Sequence, residues 1–284
     1  METVELTQDN MSEYTGFFGE DMAENIGRIY YCGLAVNDGE DTKAGLIWEY
    51  RNLDIKDESE GHIVFFRTMD AEAADIIFTE YHKMAAQNGV RKTTFVIPIK
   101  DSKLEKEVLK KEGFTVRLTE SDQIIVQLSE LSAMPLMEKR KIPEGIKPLE
   151  EITVRKFRNG IDRSVRSGHK GLCEDLEALT LGWFDQEVSC CYEKDDKVKA
   201  MLLFHKLPSE IISIQLMVCM DQDFGRILPG LMRKFVITCE ELYPPDTRIL
   251  LNRHDEASFA LSEKLLPRGF GIPVYAGSRK EKDR

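Results

Sequence analysis

The sequence predicts an α/β protein of two similar modules, each a mixed β-sheet with helices on both faces. Three observations carry this. Ala44-Gly45-Leu46-Ile47-Trp48 is echoed by Ala200-Met201-Leu202-Leu203-Phe204, and Gly113-Phe114 by Gly269-Phe270. Both spacings, 44 to 200 and 113 to 269, are 156 residues in a chain of 284, which marks an internal duplication. Between the anchors the same element types follow in the same order: helix, β-meander, then β-α-β-α-β. The β-α-β crossover makes two strands of each sheet parallel.

In the first module, 12–26 reads as helical, and 28–36 and 43–51 as strands. Asn37-Asp38-Gly39 joins them, because these residues tolerate the positive φ of a hairpin turn. A third strand covers 62–67. Ala74, Ile77, Phe78, Tyr81, Met84 and Ala85 fall at helical spacing, and Gly89 ends that pattern. Residues 93–97 form a short strand. Ser102-Lys103-Leu104-Glu105 has the capping-box pattern, in which Ser and Glu satisfy each other's backbone N–H groups. Its helix runs to Gly113, suited to the position after a helix end. Strands 115–119 and 123–129 close the module.

The second module repeats this plan. A helix-rich stretch covers 148–183, strands follow at 187–193, 198–207 and 210–219, and Lys194-Asp195-Asp196 and Pro208-Ser209 supply the turns. Helix 225–242 carries Leu228, Leu231, Phe235 and Cys239 on one face and stops at Pro244-Pro245. Strand 248–252, helix 256–266 and strand 270–276 complete it. Pro135, Pro143 and Gly145 mark 132–147 as a linker between modules 1–131 and 148–284.

Hydrophobic content is 42%, enough for two cores, and the net charge is −11 without a clustered basic run. That excludes a nucleic-acid role, which needs grouped Lys and Arg. It is compatible with a cationic or amine partner, though an acidic surface that keeps the protein soluble accounts for it more simply. No apolar run approaches the roughly 20 residues that span a bilayer. Met1-Glu2-Thr3-Val4-Glu5 is neither basic nor apolar, so no signal peptide and a cytoplasmic protein are expected. Cys32, Cys173, Cys190, Cys191, Cys219 and Cys239 form no C-x-x-C pair, so no metal site is expected and the thiols read as reduced.

The order of elements resembles the GCN5-related N-acetyltransferase (GNAT) family in tandem. Helix–Gly-Phe–strand at Gly113-Phe114 and Gly269-Phe270 is similar to that family's C-terminal motif. Asn252 with Ala257, Leu261, Lys264 and Leu265 resembles its N…A…LYEKLGF pattern, and 218–231 resembles its strand, pyrophosphate loop and helix. A helix N-terminus offers unpaired N–H groups to phosphates, and glycines let them approach. The resemblance implies acetyl-CoA as cofactor, held by Cys219, Met220, Gly225, Arg226, Ile227, Gly230 and Asn252. Gly225 fits the glycine before the core pair of Q/R-x-x-G-x-G/A. The core positions fall at Ile227 and Pro229, and Phe224 stands where the family often has Arg. The matching loop of the first module, 70–77, has no glycine and three acids, so that module reads as degenerate.

The family's general acid, the Tyr of LYEKLGF, is replaced by Ser262 in the second module and Lys110 in the first. A base is needed because an amine must lose a proton to attack. His205, Glu210 and Glu49 lie at or near strand ends and are the candidates, each also readable as a surface residue. The catalytic set expected is His205, Glu210 and Ser262, with backbone N–H groups near Cys219 and Met220 holding negative charge. Gln215 reads as a cleft residue or a solvent-facing strand residue, and Trp183-Phe184 as a pocket floor or a core anchor. Arg155, Lys156, Arg158, Arg163 and Arg166 read as a wet helix face or a site for an acidic ligand. The acceptor implied is a small-molecule amine or peptide, and homodimer formation is left open. The alternative is a catalytically inactive module pair that binds a ligand or partner.

Overall fold

The structure, a computed structural model, describes residues 1–53, 58–100, 102–138, 141–169, 171, 173–252 and 271–281. The elements of the first half are β1 (Glu2–Glu5), α1 (Met11–Phe18), α2 (Glu20–Ala23), β2 (Tyr31–Asp38), β3 (Asp41–Arg51), β4 (Glu60–Thr68), α3 (Ala71–Gln87), β5 (Lys92–Pro98), α4 (Lys103–Lys111) and β6 (Thr115–Gln127). There follow α5 (Leu128–Ser132), β7 (Ile146–Pro148), α6 (Val154–Arg166), β8 (Cys190–Lys194), β9 (Lys197–Lys206), β10 (Ile212–Cys219), α7 (Phe224–Leu242), β11 (Arg248–Asn252) and β12 (Gly271–Lys280). By contacts the chain divides into two units, Met1–Ser121 with Ile272–Arg284, and Asp122–Gly271.

The first unit has the strand order β1-β2-β3-β4-β5-β12-β6, with β6 contributing residues 115–121. β4 and β5 are parallel, and β12 runs antiparallel to β5. Alternation along β3 sorts its side chains. Leu46, Trp48 and Tyr50 pack with Phe78 and Tyr81 of α3, while Ile47 packs with Phe18 of α1. The last strand is held by polar contacts as well as by its ladder. Arg279 donates to the Glu112 carbonyl at 2.8 Å, Thr93 donates to Glu281 at 2.6 Å, and Thr115 donates to the Ser278 carbonyl at 2.9 Å.

The second unit has the order β6-β11-β10-β9-β8-β7, with β6 contributing residues 122–127. β10 and β11 are parallel; the other pairs are antiparallel. Under α7 lies an apolar core that includes Phe204, Ile212, Ile227, Leu231, Phe235 and Ile249. The opposite face carries a second core with Phe157 and Ile161 of α6, Met201, Leu203, Leu216 and Val218.

Several elements differ from the sequence reading. Residues 115–127 form one strand where two were expected, because 119–122 lack the glycine or proline that would turn a hairpin. The halves of β6 find their partners far away in sequence, β12 for one and β11 for the other. Residues 12–26 split into two short helices at Gly19, whose φ is 83°. Met134 and Met137, in the stretch read as linker, are buried in the α7 core. The capping box at 102–105 does not form: Ser102 Oγ donates to the Ile99 carbonyl, and Glu105 turns inward to β4.

Gly277 marks the tightest seam of the first unit. A Cβ there would lie 1.6 Å from the Thr115 carbonyl oxygen and 2.8 Å from a Phe95 ring carbon, both of which a substitution must displace. Gly277→Ala is expected to lower unfolding stability by about 1–3 kcal/mol, the usual cost of overpacking. Urea denaturation of the variant against the wild type measures it; an unchanged midpoint would show that β12 can shift freely.

Candidate functional site

The second unit opens where β10 parts from β11. Their parallel register holds only for Ile212↔Ile249 and Ser213↔Leu250, and then ends. The cause is local. Phe204 pairs Ile214 and Leu203 pairs Leu216, so Gln215 is an extra residue in β10, a bulge that bends and twists the strand. The first unit is built the same way: Ile47 pairs Phe65 and Trp48 pairs Ile63, leaving Val64 unopposed in β4. There the parallel register with β5 ends at Ile63↔Phe95, immediately before the bulge.

The bulges align Ile63 with Ile214 and Thr68 with Cys219, a spacing of 151 residues for both (63 to 214, 68 to 219). A shared backbone bond confirms the alignment. Met69 N–H donates to the Lys43 carbonyl at 2.7 Å, and Met220 N–H donates to the Lys199 carbonyl at 2.7 Å. With Met220 turned toward β9, the preceding Cys219 N–H points to the side that β11 has left. The two units then differ. Thr68 N–H donates to Glu105 Oε1 at 3.0 Å, whereas Cys219 N–H has no acceptor among the described residues. Glu105 is 4% exposed, and its other oxygen has no partner. At the duplication spacing the sequence has Leu261 in place of Glu105, and a leucine cannot accept this bond.

The loops ahead of the two helices differ as well. Asp70 caps α3, accepting Glu72 N–H at 2.6 Å. In the second unit Asp223 does not cap α7; its carboxylate pairs with Arg226 at 2.6 Å. The Phe224 and Gly225 N–H groups have no acceptor among the described residues, and the space beside Gly225 is open. Across the gap, Asn252 ends β11 with a buried Oδ1 that has no hydrogen-bond partner, a state that costs about 1–3 kcal/mol if left unmet.

No protein-family model matches the sequence, and a search of curated proteins finds no match. Solved structures do match. A tandem GNAT protein from the clavulanic acid biosynthesis pathway, solved without AcCoA, superposes over 100% of this chain and 99% of its own, with TM-score 0.64 at 9% identity. A GCN5-related N-acetyltransferase from Kribbella flavida covers 98% of this chain and 70% of its own, with TM-score 0.54 at 10% identity. A conserved protein of unknown function from Enterococcus faecalis V583 covers 99% and 72%, with TM-score 0.53 at 8% identity. The fold is the tandem GNAT fold.

On this tandem GNAT frame the residues singled out from the sequence separate. Cys219, Gly225 and Asn252 border the gap and its loop. Burial raises the Cys219 thiol, whose Sγ lies 3.7 Å from the Asp221 carbonyl. Met220 does not offer its N–H, which is spent on Lys199. Arg226 is exposed and ion-paired to Asp223. Ile227 is fully buried in the α7 core, and its N–H closes the first helical turn on the Asp223 carbonyl. Gly230 faces away from the loop, because a Cβ there would meet Pro143 at 2.5 Å and Ile146 at 2.8 Å.

Of the catalytic candidates, His205 is buried, stacked on Trp183 with ring centroids 4.0 Å apart, and its Nδ1 donates to the Trp183 carbonyl at 2.6 Å. The neutral ring therefore carries its proton on Nδ1. Glu210 sits at the opposite end of β10 from Cys219, in a hairpin with φ 64°, exposed and paired with Lys206. Ser262, Ala257, Leu261, Lys264, Leu265 and Gly269-Phe270 lie outside the described residues. The basic face of α6 is largely spent inside the unit: Lys156 pairs Glu193 and Asp196, Arg163 donates to the Val198 carbonyl, and Arg158 to the Glu177 carbonyl. Cys190 and Cys191 are buried, and burial pushes both thiols up, away from nucleophilic use. Among the described residues no His/Cys/Asp/Glu group could hold a metal, and no helix is long and apolar enough to cross a membrane.

Sequence reasoning missed the bonded row on the α6 face: Cys173 Sγ donates to Gln215 Oε1 at 3.2 Å, and Gln215 Nε2 donates to Ser213 Oγ at 3.1 Å. The one signal was a glutamine inside an apolar strand. The corresponding face of the first unit is charged instead. Arg51 bonds Glu49 at 2.8 Å, and Thr94 donates to Glu60 at 2.5 Å while accepting from His62 Nδ1 at 2.7 Å.

Burial, reinforced by Arg51 and Lys92, pushes His62 from 6.5 down to about 3. Between these values the unfolded chain binds a proton that the fold refuses, so this residue's contribution to stability is lost as pH falls through that window. His62→Gln is therefore expected to flatten the fall of the thermal midpoint between pH 7 and pH 4. Equal slopes for variant and wild type in calorimetry would refute the assignment.

Proposed function

We propose that the second unit binds an acyl-CoA and that the protein transfers its acyl group to an amine, the first unit serving as a degenerate structural partner. The observation that carries this reading is the unclaimed Cys219 N–H beside a parallel ladder that stops after two pairs. The equivalent N–H of the first unit is taken by Glu105. A strand-end amide with no acceptor among the described residues, opening on a gap, is suited to a carbonyl oxygen that gains charge during acyl transfer.

The residues fit the cofactor at three points. The Phe224 and Gly225 N–H groups, at the positive end of α7, suit a pyrophosphate. Asn252 Oδ1 is a buried acceptor suited to an amide N–H of the pantetheine arm. Cys219 N–H suits the thioester oxygen. Bound there, the cofactor supplies the activated acyl group. The protein contributes position: an amine held against the thioester reacts without the entropy cost of a bimolecular encounter.

The α7 face of the gap is filled by Ile212, Ile249, Ile227 and Leu251, so the amine approaches from the α6 face. His205 lies on that face and is the candidate for receiving or relaying the amine proton; Glu210, at the far end of the strand, is not. Ser262 is retained as the candidate for protonating the departing thiolate. Acetyl-CoA is the acyl donor proposed.

A ligand-binding role without turnover is favoured by one observation. Asp221 and Asp223 flank the phosphate loop, and the bond from Asp223 N–H, aided by Lys194, holds the Asp221 carboxyl below the usual carboxylate range. Their charge opposes a pyrophosphate.

Acetyl-CoA at 100 times its dissociation constant is expected to stabilise the wild type by about 2.7 kcal/mol, raising the thermal midpoint by several degrees. Gly225→Glu, placing a carboxylate in the open space at the loop, is expected to abolish the rise. Stabilisation undiminished in Gly225→Glu would remove the cofactor from this loop, and stabilisation without thiol release across an amine panel would favour the binding role.

A further inference from the structure

We infer that the amine accepted by the second unit is carried on an uncharged, hydroxyl-bearing frame of the amino-sugar or amino-alcohol class, and that Gln215 is the residue that selects it. This rests on the acyltransferase reading above. A bulge turns two successive side chains to one face. Here Leu216 joins the α6-side core, and Gln215, bonded to Cys173 of the same core, is brought beside it at the lip of the gap.

Three neutral side chains stand at the opening on this face among the described residues. Ser213 and Gln215 come from β10. Asn252 comes from β11, where Ile249 and Leu251 pack toward α7 and alternation turns Leu250 and Asn252 the other way. Asn252 stands three residues beyond Ile249, as Gln215 stands three beyond its register partner Ile212. The two amides therefore flank the gap at one level.

Their hydrogen-bonding capacity is part-filled in one direction. Cys173 donates to Gln215 Oε1, and Gln215 Nε2 donates to Ser213 Oγ. Gln215 Nε2 retains a second hydrogen, Ser213 retains its hydroxyl hydrogen, and Asn252 retains an acceptor oxygen. Donors on one side and an acceptor on the other match hydroxyls, each of which accepts and donates. A polycation finds no counter-charge in this row. The row is also fixed. Gln215 is 9% exposed and Ser213 4%, and Gly171 lies against β10, where a Cβ would meet the Gln215 carbonyl at 2.4 Å. Buried groups that must be paired discriminate strongly against ligands that cannot pair them.

The test measures kcat/KM for glucosamine, galactosamine and ethanolamine against putrescine, spermidine and spermine. CoA release by the full chain is followed for wild type and Gln215→Glu. The variant keeps the Cys173 bond and lets Ser213 donate instead of accept, so it is isosteric within the row. Expected are preference for the hydroxylated amines in the wild type and, in the variant, a ratio shifted about tenfold toward the polyamines, the scale of one neutral hydrogen bond. Gln215→Leu, which loses both partners, should weaken the hydroxylated acceptors without favouring polyamines. Stabilisation by acetyl-CoA is recorded for each variant as evidence of an intact fold and cofactor site. Polyamine preference in the wild type, turnover of neither class with acetyl-CoA bound, or an unmoved ratio in an intact Gln215→Glu overturns the inference. Loss of acetyl-CoA binding in the wild type overturns the acyltransferase reading itself, and the inference with it.

Discussion

The second unit depends on a parallel ladder that is made and then abandoned. Two register pairs hold β10 to β11, and one extra residue in β10 ends the match. The open features of this unit lie around that interruption. Among the described residues the strand-end amide of Cys219 has no acceptor, Asn252 ends its strand with a buried oxygen unpaired, and α7 starts with two N–H groups unclaimed. A buried polar atom is nearly always paired, so the unmet Asn252 oxygen is the feature of this gap that calls for a partner.

The first unit shows what the same interruption becomes when the chain fills it. Its bulge at Val64 and its Met69–Lys43 bond repeat those of the second unit. Yet Glu105 reaches in to the Thr68 amide, and Asp70 satisfies the start of α3. Backbone geometry is shared and side chains decide the outcome: carboxylates occupy one set of amides and leave the other open. The polar face differs in kind too, charged around Glu49 and His62, amide-rich around Gln215. Two copies of one frame thus differ in the side chains that meet their strand-end and helix-start amides.

The fold was largely legible. Residue type and period located the meanders, the long helices and the parallel crossovers, because those signals are local. The duplication spacing of 156 aligned Lys43 with Lys199, whose carbonyls accept the same bond in both units. Cys219, Gly225 and Asn252, which the sequence placed by position in an element, do lie at the strand and helix ends beside the gap. Ile227 and Gly230 were misleading because a helix has two faces, and packing against Pro143, Ile146 and the core fixed which face they join. His205 and Glu210 looked alike as residues near strand ends; only tertiary packing buried one against Trp183 and left the other in solvent.

Local chemistry in the sequence thus sets the elements, their order and the repetition of one plan. Long-range pairing sets the rest. β6 runs unbroken because its halves meet partners more than a hundred residues distant, and the first unit closes with the last strand of the chain. Glu105 caps no helix because another donor, the Thr68 N–H, becomes available to it only once β4 and β5 have parted. No window of sequence contains both partners of such contacts, and their free energy is gained only after the fold has brought them together.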